Sequence, residues 1–280
     1  MQAMQALYDI PAPAKLNLFL HITGRRADGY HLLQSVFMLI DWCDTLHFEL
    51  RQDGQISRED LTWALPEDDL CLRAAKALQS ASGCAFGVHI GIAKSVPAQA
   101  GMGGGSSDAA STLLALNRLW KLGWTQAQLA GIGLQLGADV PFFLLGQHAW
   151  VEGVGEKLTP LDLPAGRFAV LKPDAGLDTR SVFAHPMLER NTALAIISGF
   201  AANPYGFGRN DLQPVAELLC PAVGQSIAWF AGQGLPARMT GSGSAVFAPL
   251  PADTLLHEAP GDMALRVCNS LEAHPLQGWC

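Results

Sequence analysis

The sequence predicts a globular α+β protein, and three observations carry this prediction. First, 49% of the 280 residues are hydrophobic and 15% are charged, a composition that supports substantial cores. Second, residues 14–22 show the two-residue side-chain alternation of a strand. Third, apolar residues between positions 109 and 120 recur at the spacing of a buried helix face. Strands and helices are therefore both expected, in one large or two ordinary domains.

The remaining elements are predicted from the same periodicities. They are an apolar strand over 32–40, a hairpin or loop over 51–60, a helix over 69–78, a strand over 88–92, a helix over 125–136, a strand over 168–171 and then three or four helical segments. Thr125 and Gln128 match a capping box, which marks the start of the helix over 125–136. Residues 160–166 divide the chain into two predicted domains, 1–160 and 161–280.

Charge and hydropathy exclude several classes of function. The net charge of −7 and the pI near 5.5 leave no electrostatic footprint for nucleic acid, which argues against an RNA-binding domain. The apolar runs are too short for a spanning helix, and the first residues lack a signal-peptide pattern. We therefore expect a cytoplasmic protein that binds neither nucleic acid nor membranes.

The cysteines predict neither a metal knuckle nor a redox pair. No Cys-x-x-Cys pair and no histidine at zinc spacing accompanies them. They are Cys43, Cys71, Cys84, Cys220, Cys268 and Cys280. We expect most of them to be reduced and buried as small apolar side chains.

The glycine-rich stretch over 97–110 is the strongest functional signal. It places four glycines and two serines between a predicted strand over 88–92 and a predicted helix. Glycine allows close backbone approach, and a helix N-terminus offers free N–H groups and a positive dipole end, so phosphate is the natural ligand. An ordinary glycine-rich turn before a core helix is the alternative.

Other polar residues stand out on the predicted elements. Lys15 and Asn17 share one face of the first strand, where a half-exposed edge strand is the alternative explanation. Tyr30 and His31 close a polar loop and could stack on a planar ligand and hydrogen-bond it, although a solvated turn explains them equally well. Asp139 precedes Val140 and Pro141. A residue before proline favours extended geometry, so we expect Asp139 to lie at a sharp junction between elements; a structural loop aspartate is the alternative.

Common nucleotide-binding signatures are absent. The chain has neither a Walker loop nor the His-Arg-Asp and Asp-Phe-Gly motifs of protein kinases. A dinucleotide fold is disfavoured, because no acidic residue lies about 20 positions beyond the glycine loop. A second glycine- and serine-rich turn, over 241–244, leads into a predicted strand.

Taken in order, three motifs resemble those of the GHMP kinase superfamily. They cover residues 13–17, 97–110 and 239–247. Five segments, two of which overlap these motifs, are similar to those members whose acceptor is a cytidine-diphosphate-linked methylerythritol; they cover 14–20, 23–31, 101–107, 137–141 and 152–156. The resemblance implies two α+β domains with the active site between them, an N-terminal domain like ribosomal protein S5 and a ferredoxin-like C-terminal domain.

The resemblance also implies an activity. ATP would phosphorylate the 2-hydroxyl of the methylerythritol unit, a step in the non-mevalonate route to isoprenoids, with Mg²⁺ accompanying ATP. Ser107 is the candidate metal ligand, through its hydroxyl. The alternatives are a GHMP kinase for another alcohol, such as homoserine or mevalonate, and a non-catalytic nucleotide-binding protein on the same scaffold.

The matching motifs assign roles to individual residues. Lys15 and Asp139 correspond to the catalytic pair, in which a carboxylate base is oriented and kept ionised by a lysine. The ATP-binding residues implied are Asp69, Leu70, Lys94, Pro97, Ala98, Gln99, Ala100, Gly101, Met102, Gly103, Gly104, Gly105, Ser106 and Ser107. The acceptor-binding residues implied are Asn17, Tyr30, His31 and Phe183. The turn residues expected to support the phosphate loop are Thr240, Gly241, Ser242 and Gly243.

Two residues depart from the family pattern. Asp69 stands before Leu70 where asparagine occurs, which removes a side-chain amide that would recognise adenine. Asp108 follows the serines where asparagine is also found. A carboxylate in the first helical turn suits the dipole but would repel phosphate, so we expect it to face away from the ligand.

Overall fold

The computed structural model describes residues 5–280, which form ten strands and eight helices. The strands are Ala6–Arg25 (β1), His31–Arg51 (β2), Ile56–Asp60 (β3), Gly87–Ala93 (β4), Ala149–Glu152 (β5), Lys157–Pro160 (β6), Arg167–Lys172 (β7), Arg238–Met239 (β8), Val246–Pro249 (β9) and Ala264–Asn269 (β10). The helices are Leu70–Ser82 (α1), Gly104–Leu119 (α2), Gln126–Leu136 (α3), Val140–Leu145 (α4), Thr179–Ala184 (α5), Ile197–Ala201 (α6), Gln213–Leu219 (α7) and Pro221–Ala231 (α8).

The strands form two sheets. The first has six strands in the order β3-β4-β2-β5-β6, with β1 paired to β2, and the second has the order β10-β7-β9-β8. All pairs are antiparallel except β3 with β4, which run parallel. Helices accompany both sheets, so the α+β fold class is confirmed.

The strongest periodic signals are confirmed as elements. The strands predicted over 14–22 and 32–40 are parts of one long hairpin, β1 and β2, whose ends extend beyond the apolar stretches. At the start of α3, both hydrogen bonds of the Thr125 and Gln128 capping box are present. The half-exposed edge alternative for the first strand is wrong, because Lys15 and Asn17 are both buried.

Three local predictions need correction. Residues 56–60 form a strand, β3, because they pair with β4 and not because of their own apolar pattern. Helix α2 begins at Gly104, so the end of the glycine loop is its first turn. Val140 starts the short helix α4, where the proline at position 141 is tolerated because first-turn N–H groups have no intrahelical partner.

Helix α2 is the central element of the first half of the chain. Every residue of this helix from Ser107 to Asn117 is buried. It packs against α1, α3, α4 and the β1–β2 hairpin. A cluster of buried hydrophobic side chains joins the two sheets. It contains Leu16 and Met38 of the hairpin and Phe168 and Phe247 of the other sheet. The glycine loop is thus held between a buried helix and a buried hairpin.

Candidate active site

A cavity of about 730 Å³ lies between the two sheet-containing halves. This volume suits a small-molecule substrate site. Its walls include most of the residues assigned from the sequence. The assigned residues that line it are Lys15, Asn17, Asp69, Leu70, Lys94, the ten residues 97–106, Asp139, Phe183, Gly241, Ser242 and Gly243. Tyr30, His31, Ser107 and Thr240 are not part of its wall.

The glycine loop meets the second glycine turn through the backbone. Ser244 N donates to Gln99 O at 3.0 Å, and Ala245 N donates to Ala100 O at 3.2 Å. Gly101 has φ +72°, and a Cβ placed on it would lie 2.2 Å from the carbonyl oxygen of Thr240. The contact therefore requires the absence of a side chain at position 101.

The first turn of α2 presents free backbone donors. Its N-cap, Gly103, has φ +72° and no side chain that could cap the helix. The first N–H groups of a helix lack intrahelical acceptors and lie at the positive end of its dipole. Gly104, Gly105 and Ser106 of this turn line the cavity, so an anion there would meet backbone N–H groups.

Lys15 and Asp139 face each other at the cavity wall. Lys15 Nζ lies 3.8 Å from Asp139 Oδ2; the lysine side chain is 4% exposed and the aspartate side chain 32%. The same ammonium donates to Asn17 Oδ1 and lies 4.7 Å from the ring centre of Phe37. Burial lowers the pKa of Lys15, although Asp139 opposes this by favouring the charged form.

Asn17 is held from two sides. Its backbone N–H donates to Thr240 Oγ1 at 2.9 Å, and its Nδ2 donates to Ser35 Oγ at 2.9 Å. Thr240 also contacts Gly101 O through its hydroxyl at 3.4 Å. Although Thr240 does not line the cavity, it thus connects the strand that carries Lys15 to the glycine loop.

Lys94 is engaged by two carboxylates that the sequence analysis did not connect with it. Its ammonium donates to Asp44 and to Asp108, and all three side chains are buried. Asp44 Oδ1 also accepts from the backbone N–H of Val96 at 2.8 Å. The cluster of Asp44, Lys94 and Asp108 therefore joins β2, the start of the glycine loop and α2. Asp108 is also part of the cavity wall.

We expect the Asp108→Asn variant to be more stable than the wild type at pH 8. Burial raises the pKa of Asp108 to about 8; Lys94 opposes the shift and Asp44 adds to it. The unfolded carboxyl titrates near its usual value of about 3.9. Between these values the folded state binds more protons, so the free energy of unfolding falls as pH rises.

Urea unfolding between pH 5 and pH 9 tests this prediction. The wild type should lose about 1.4 kcal/mol of stability per pH unit between pH 5 and pH 8 and little more above that, whereas Asp108→Asn should lose clearly less. Asp262→Asn, at an exposed position, serves as the control and should follow the wild type. Parallel pH profiles for wild type and Asp108→Asn would contradict the assignment.

Asp69 also has a structural role, because its carboxylate binds two groups of the protein. It caps α1 by accepting from Leu72 N at 2.9 Å, and it pairs with Arg58 Nη1 at 3.2 Å. Its carboxylate is thus already engaged, although Asp69 and Leu70 both line the cavity.

The residues assigned to the cytosine ring of the acceptor differ in how close they lie to the cavity. Phe183 lines the cavity, and its ring centre lies 5.2 Å from that of His31 at an interplanar angle of 37°. His31 Nε2 accepts from Arg190 Nε at 3.1 Å. Tyr30 lies in the neighbouring turn and is 65% exposed. The structure thus brings His31 and Phe183 together but does not place Tyr30 in the cavity wall.

Several residues at the site were not predicted from the sequence. Thr179 lines the cavity, and its hydroxyl oxygen lies 2.7 Å from that of Ser242, which was predicted to support the phosphate loop. Thr179 follows the N-cap Asp178, a helix-start signal that could have directed attention to it. Asp44 and Arg190 carry no local signal, because their partners are distant in sequence.

The described residues contain no ready-made metal cluster. Within 5–280, no group of three or more His, Cys, Asp or Glu side chains could hold a metal ion. Two buried oxygens near the start of α2, Ser107 Oγ and Asp108 Oδ1, lack a hydrogen-bond partner in this part of the chain. All six cysteines are free thiols, and none of the helices within 5–280 is long and apolar enough to cross a bilayer.

The fold and this site define a small-molecule kinase, and family models agree. The model described as GHMP kinases N terminal domain matches residues 69–147, and that described as GHMP kinases C terminal matches residues 193–261. The chain therefore belongs to the GHMP kinase family.

Relatives and solved structures give the branch of the family. The chain is 68% identical over 276 residues to the 4-diphosphocytidyl-2-C-methyl-D-erythritol kinase of Albidiferax ferrireducens, covering 99% of this chain and 96% of the relative. It is 66% identical over 281 residues to the kinase of the same name from Delftia acidovorans, covering 99% and 98%. These relatives place the chain among the 4-diphosphocytidyl-2-C-methyl-D-erythritol kinases.

Solved structures agree with this placement. A crystal structure of 4-(cytidine 5'-diphospho)-2C-methyl-D-erythritol kinase superimposes with a TM-score of 0.75 at 32% identity, covering 92% of this chain and 98% of the other. A homoserine kinase from Cytophaga hutchinsonii gives a TM-score of 0.72 at 14% identity, with 98% and 97% covered. At that identity, the second match shows the shared fold alone.

Proposed function

We propose that this kinase transfers the γ-phosphoryl group of ATP to the 2-hydroxyl of 4-diphosphocytidyl-2-C-methyl-D-erythritol. The observation that carries the proposal is the pair of Lys15 and Asp139, which face each other at the wall of the cavity that the glycine loop also lines. A base and a cation beside a phosphate-binding loop are what an in-line transfer to an alcohol requires.

Asp139 is the proposed general base. Its carboxylate is partly exposed to the cavity, so it can accept the proton of the attacking hydroxyl as the oxygen bonds to phosphorus. Lys15 supplies a buried cation next to the reacting oxygen. Asn17, which binds the same ammonium, is proposed to contact the hydroxyls of the methylerythritol unit. The bond between the γ-phosphorus and the β,γ-bridging oxygen breaks, and ADP leaves.

The glycine loop is the proposed triphosphate site. Residues 97–107 lead into the first turn of α2 and include it, and the free N–H groups of this turn can bind phosphate oxygens. Thr240, Gly241, Ser242 and Gly243 are proposed to support the loop from the other half of the chain. Thr240 contacts Gly101 O through its hydroxyl, and the adjoining Ser244 and Ala245 donate to Gln99 O and Ala100 O. Asp69, Leu70 and Lys94 are proposed for the adenosine end; Lys94 would act there while its ammonium donates to Asp44 and Asp108.

Mg²⁺ is proposed to bind together with ATP. Ser107 Oγ fits a hard cation, because it is a buried oxygen without a hydrogen-bond partner among residues 5–280, and Mg²⁺ usually completes its coordination with substrate phosphates and water. When bound, Mg²⁺ supplies charge neutralisation to the phosphate oxygens. The protein residues bind and orient the two substrates.

The cytidine end of the acceptor is proposed to bind at Tyr30, His31 and Phe183. Phe183 already lines the cavity, and an aromatic face can stack on cytosine. Tyr30 has a solvent-exposed side chain, so we propose that it contacts the base from the outer side of the site.

A turnover comparison with ATP and three alcohols tests the proposed function. We expect kcat/KM for 4-diphosphocytidyl-2-C-methyl-D-erythritol to exceed that for homoserine or mevalonate by at least about 10⁴-fold, because buried polar groups left without their partners discriminate strongly. Comparable values for the three acceptors, or a preference for homoserine or mevalonate, would overturn the proposal.

The pH dependence of kcat should reveal Lys15. Because burial lowers the pKa of Lys15, the cation is lost as pH rises, and kcat should fall before the usual lysine pKa of about 10.4. In Lys15→Arg, the residual activity should show no such fall, since arginine stays charged. Circular dichroism must show that both proteins remain folded over this range. A wild-type profile that is flat to pH 10.4 would contradict the role of Lys15.

The domain bounds and the cellular location of the protein are proposals too. We propose domains at 1–160 and 161–280, which place one sheet in each. Dependence on ATP supports a cytoplasmic location, and the partners proposed are small molecules, with neither nucleic acid nor a membrane.

A further inference from the structure

Arg190 connects the two residues whose rings form the proposed cytosine site, His31 and Phe183. Its Nε donates to His31 Nε2 at 3.1 Å, and its Nη2 donates to the carbonyl oxygens of Phe183 at 3.2 Å and His185 at 2.7 Å. Its Nη1 donates to Leu188 O at 3.0 Å. One guanidinium thus fixes the end of α5, which carries Phe183, relative to the histidine that begins β2.

The contact between Arg190 and His31 determines where the imidazole proton lies. Arginine has only donors and stays charged in proteins, so the nitrogen that accepts its N–H must carry a lone pair. His31 Nε2 is that nitrogen, and the neutral ring therefore carries its proton on Nδ1. Burial lowers the pKa of His31, and the charges of Arg190 and Arg25 lower it further. These effects agree with a neutral ring at pH 7.

The other nitrogen of His31 remains available to a ligand. Within residues 5–280, no group hydrogen-bonds to His31 Nδ1, and this atom is not among the buried polar atoms that lack partners. The ring contacts Phe183, which lines the cavity. A base stacked on Phe183 would therefore lie near the ring of His31.

We propose that Arg190 is a positioning residue that fixes His31 as an Nδ1–H donor beside Phe183 and thereby selects cytosine over uracil. This inference rests on the proposed function, since it concerns the base of the same acceptor. Cytosine has an unprotonated ring nitrogen, N3, that can accept from His31. Uracil carries a proton on N3, so two donors would face each other and a buried polar group would remain unpaired.

The first part of the test is the ¹⁵N NMR signature of His31 in the free protein at pH 7.5, assigned by its loss in His31→Gln. We expect the wild type to show a protonated Nδ1 and an unprotonated Nε2. Arg190→Met should move the proton partly or wholly to Nε2. Arg180→Met, which removes an exposed arginine from α5, the helix that carries Phe183, is the control and should leave the signature unchanged.

The second part compares the cytidine acceptor with its uridine analogue. Arg190→Met should reduce the ratio of the two kcat/KM values about tenfold, the equivalent of one good hydrogen bond. The KM for the cytidine acceptor should rise, with the KM for ATP and kcat at saturation within about twofold of wild type. Urea unfolding of Arg190→Met identifies any general loss of stability.

Several outcomes would overturn the role of Arg190. The first is a wild-type His31 that is protonated on Nε2 or on both nitrogens. The others are an unchanged His31 signature in Arg190→Met and an equal loss of kcat/KM for the cytidine and uridine acceptors in that variant. Failure of the proposed function has a different signature. An Nδ1–H His31 in a wild type that does not phosphorylate the cytidine acceptor would overturn that function and the base preference with it.

Discussion

Replacing Asp139 by asparagine is expected to lower kcat by about 10²- to 10⁴-fold, the usual contribution of a positioned general base. The amide has the shape of the carboxylate but cannot accept the proton of the attacking hydroxyl. Because Asp139 lies at the cavity wall opposite Lys15 and not in the glycine loop, the affinity for ATP should change by less than about fivefold, within the range of one surface ion pair. Steady-state ADP release with saturating acceptor and a separate ATP-binding titration measure the two quantities.

Asp262→Asn provides the matched control for this variant. Asp262 is exposed and lies outside the cavity wall, so its replacement should leave kcat unchanged. If Asp139→Asn binds ATP and releases ADP at the wild-type rate, Asp139 is not the base. A wild type that binds ATP without phosphorylating any acceptor would favour the non-catalytic alternative.

Replacing Gly101 by alanine is expected to disrupt the triphosphate site and to destabilise the protein. The added Cβ would lie 2.2 Å from Thr240 O and 2.8 Å from Gly243 N, and φ at this position is +72°. Both neighbours are backbone atoms and cannot rotate away, so the two glycine-rich turns must separate. Unfavourable backbone geometry alone costs about 1–3 kcal/mol, and kcat/KM for ATP should fall at least about tenfold, since positioning of the phosphates depends on the loop.

Gly131→Ala is the control for the alanine substitution. Gly131 lies in α3, and a Cβ added there would have no atom within 4 Å. Alanine should stabilise this exposed helix position by roughly 0.5–1 kcal/mol. Urea unfolding and the KM for ATP are measured for both variants. Wild-type values for Gly101→Ala in both measurements would show that the turns do not depend on their close contact.

Local sequence signals predicted the elements that position the site. The glycine loop, the capping box of α3 and the alternation of β1 depend on neighbouring residues alone, and each appears in the structure. The short strands β5, β6, β8 and β10 were not predicted. They contain two to six residues, and their conformation depends on pairing with distant strands, which residue periodicity does not reveal.

Local sequence patterns also did not predict which charged groups would pair. Lys94 was assigned to ATP from its place before the glycine loop, but two buried carboxylates engage it, and one of them, Asp44, lies 50 positions earlier in the chain. Arg190 and His31 are 159 positions apart. Only folding brings such groups within hydrogen-bond distance.

The sequence by itself determined the class of site, because Lys15, Asp139 and the glycine loop each belong to a short motif whose chemistry can be recognised without a fold. Tertiary structure alone decided which charges oppose one another, which nitrogen of His31 is left for a ligand, and that Tyr30 is exposed. These properties depend on burial and on contacts between distant segments. Local motifs can supply reactive groups, but the surroundings that tune them exist only in the folded chain.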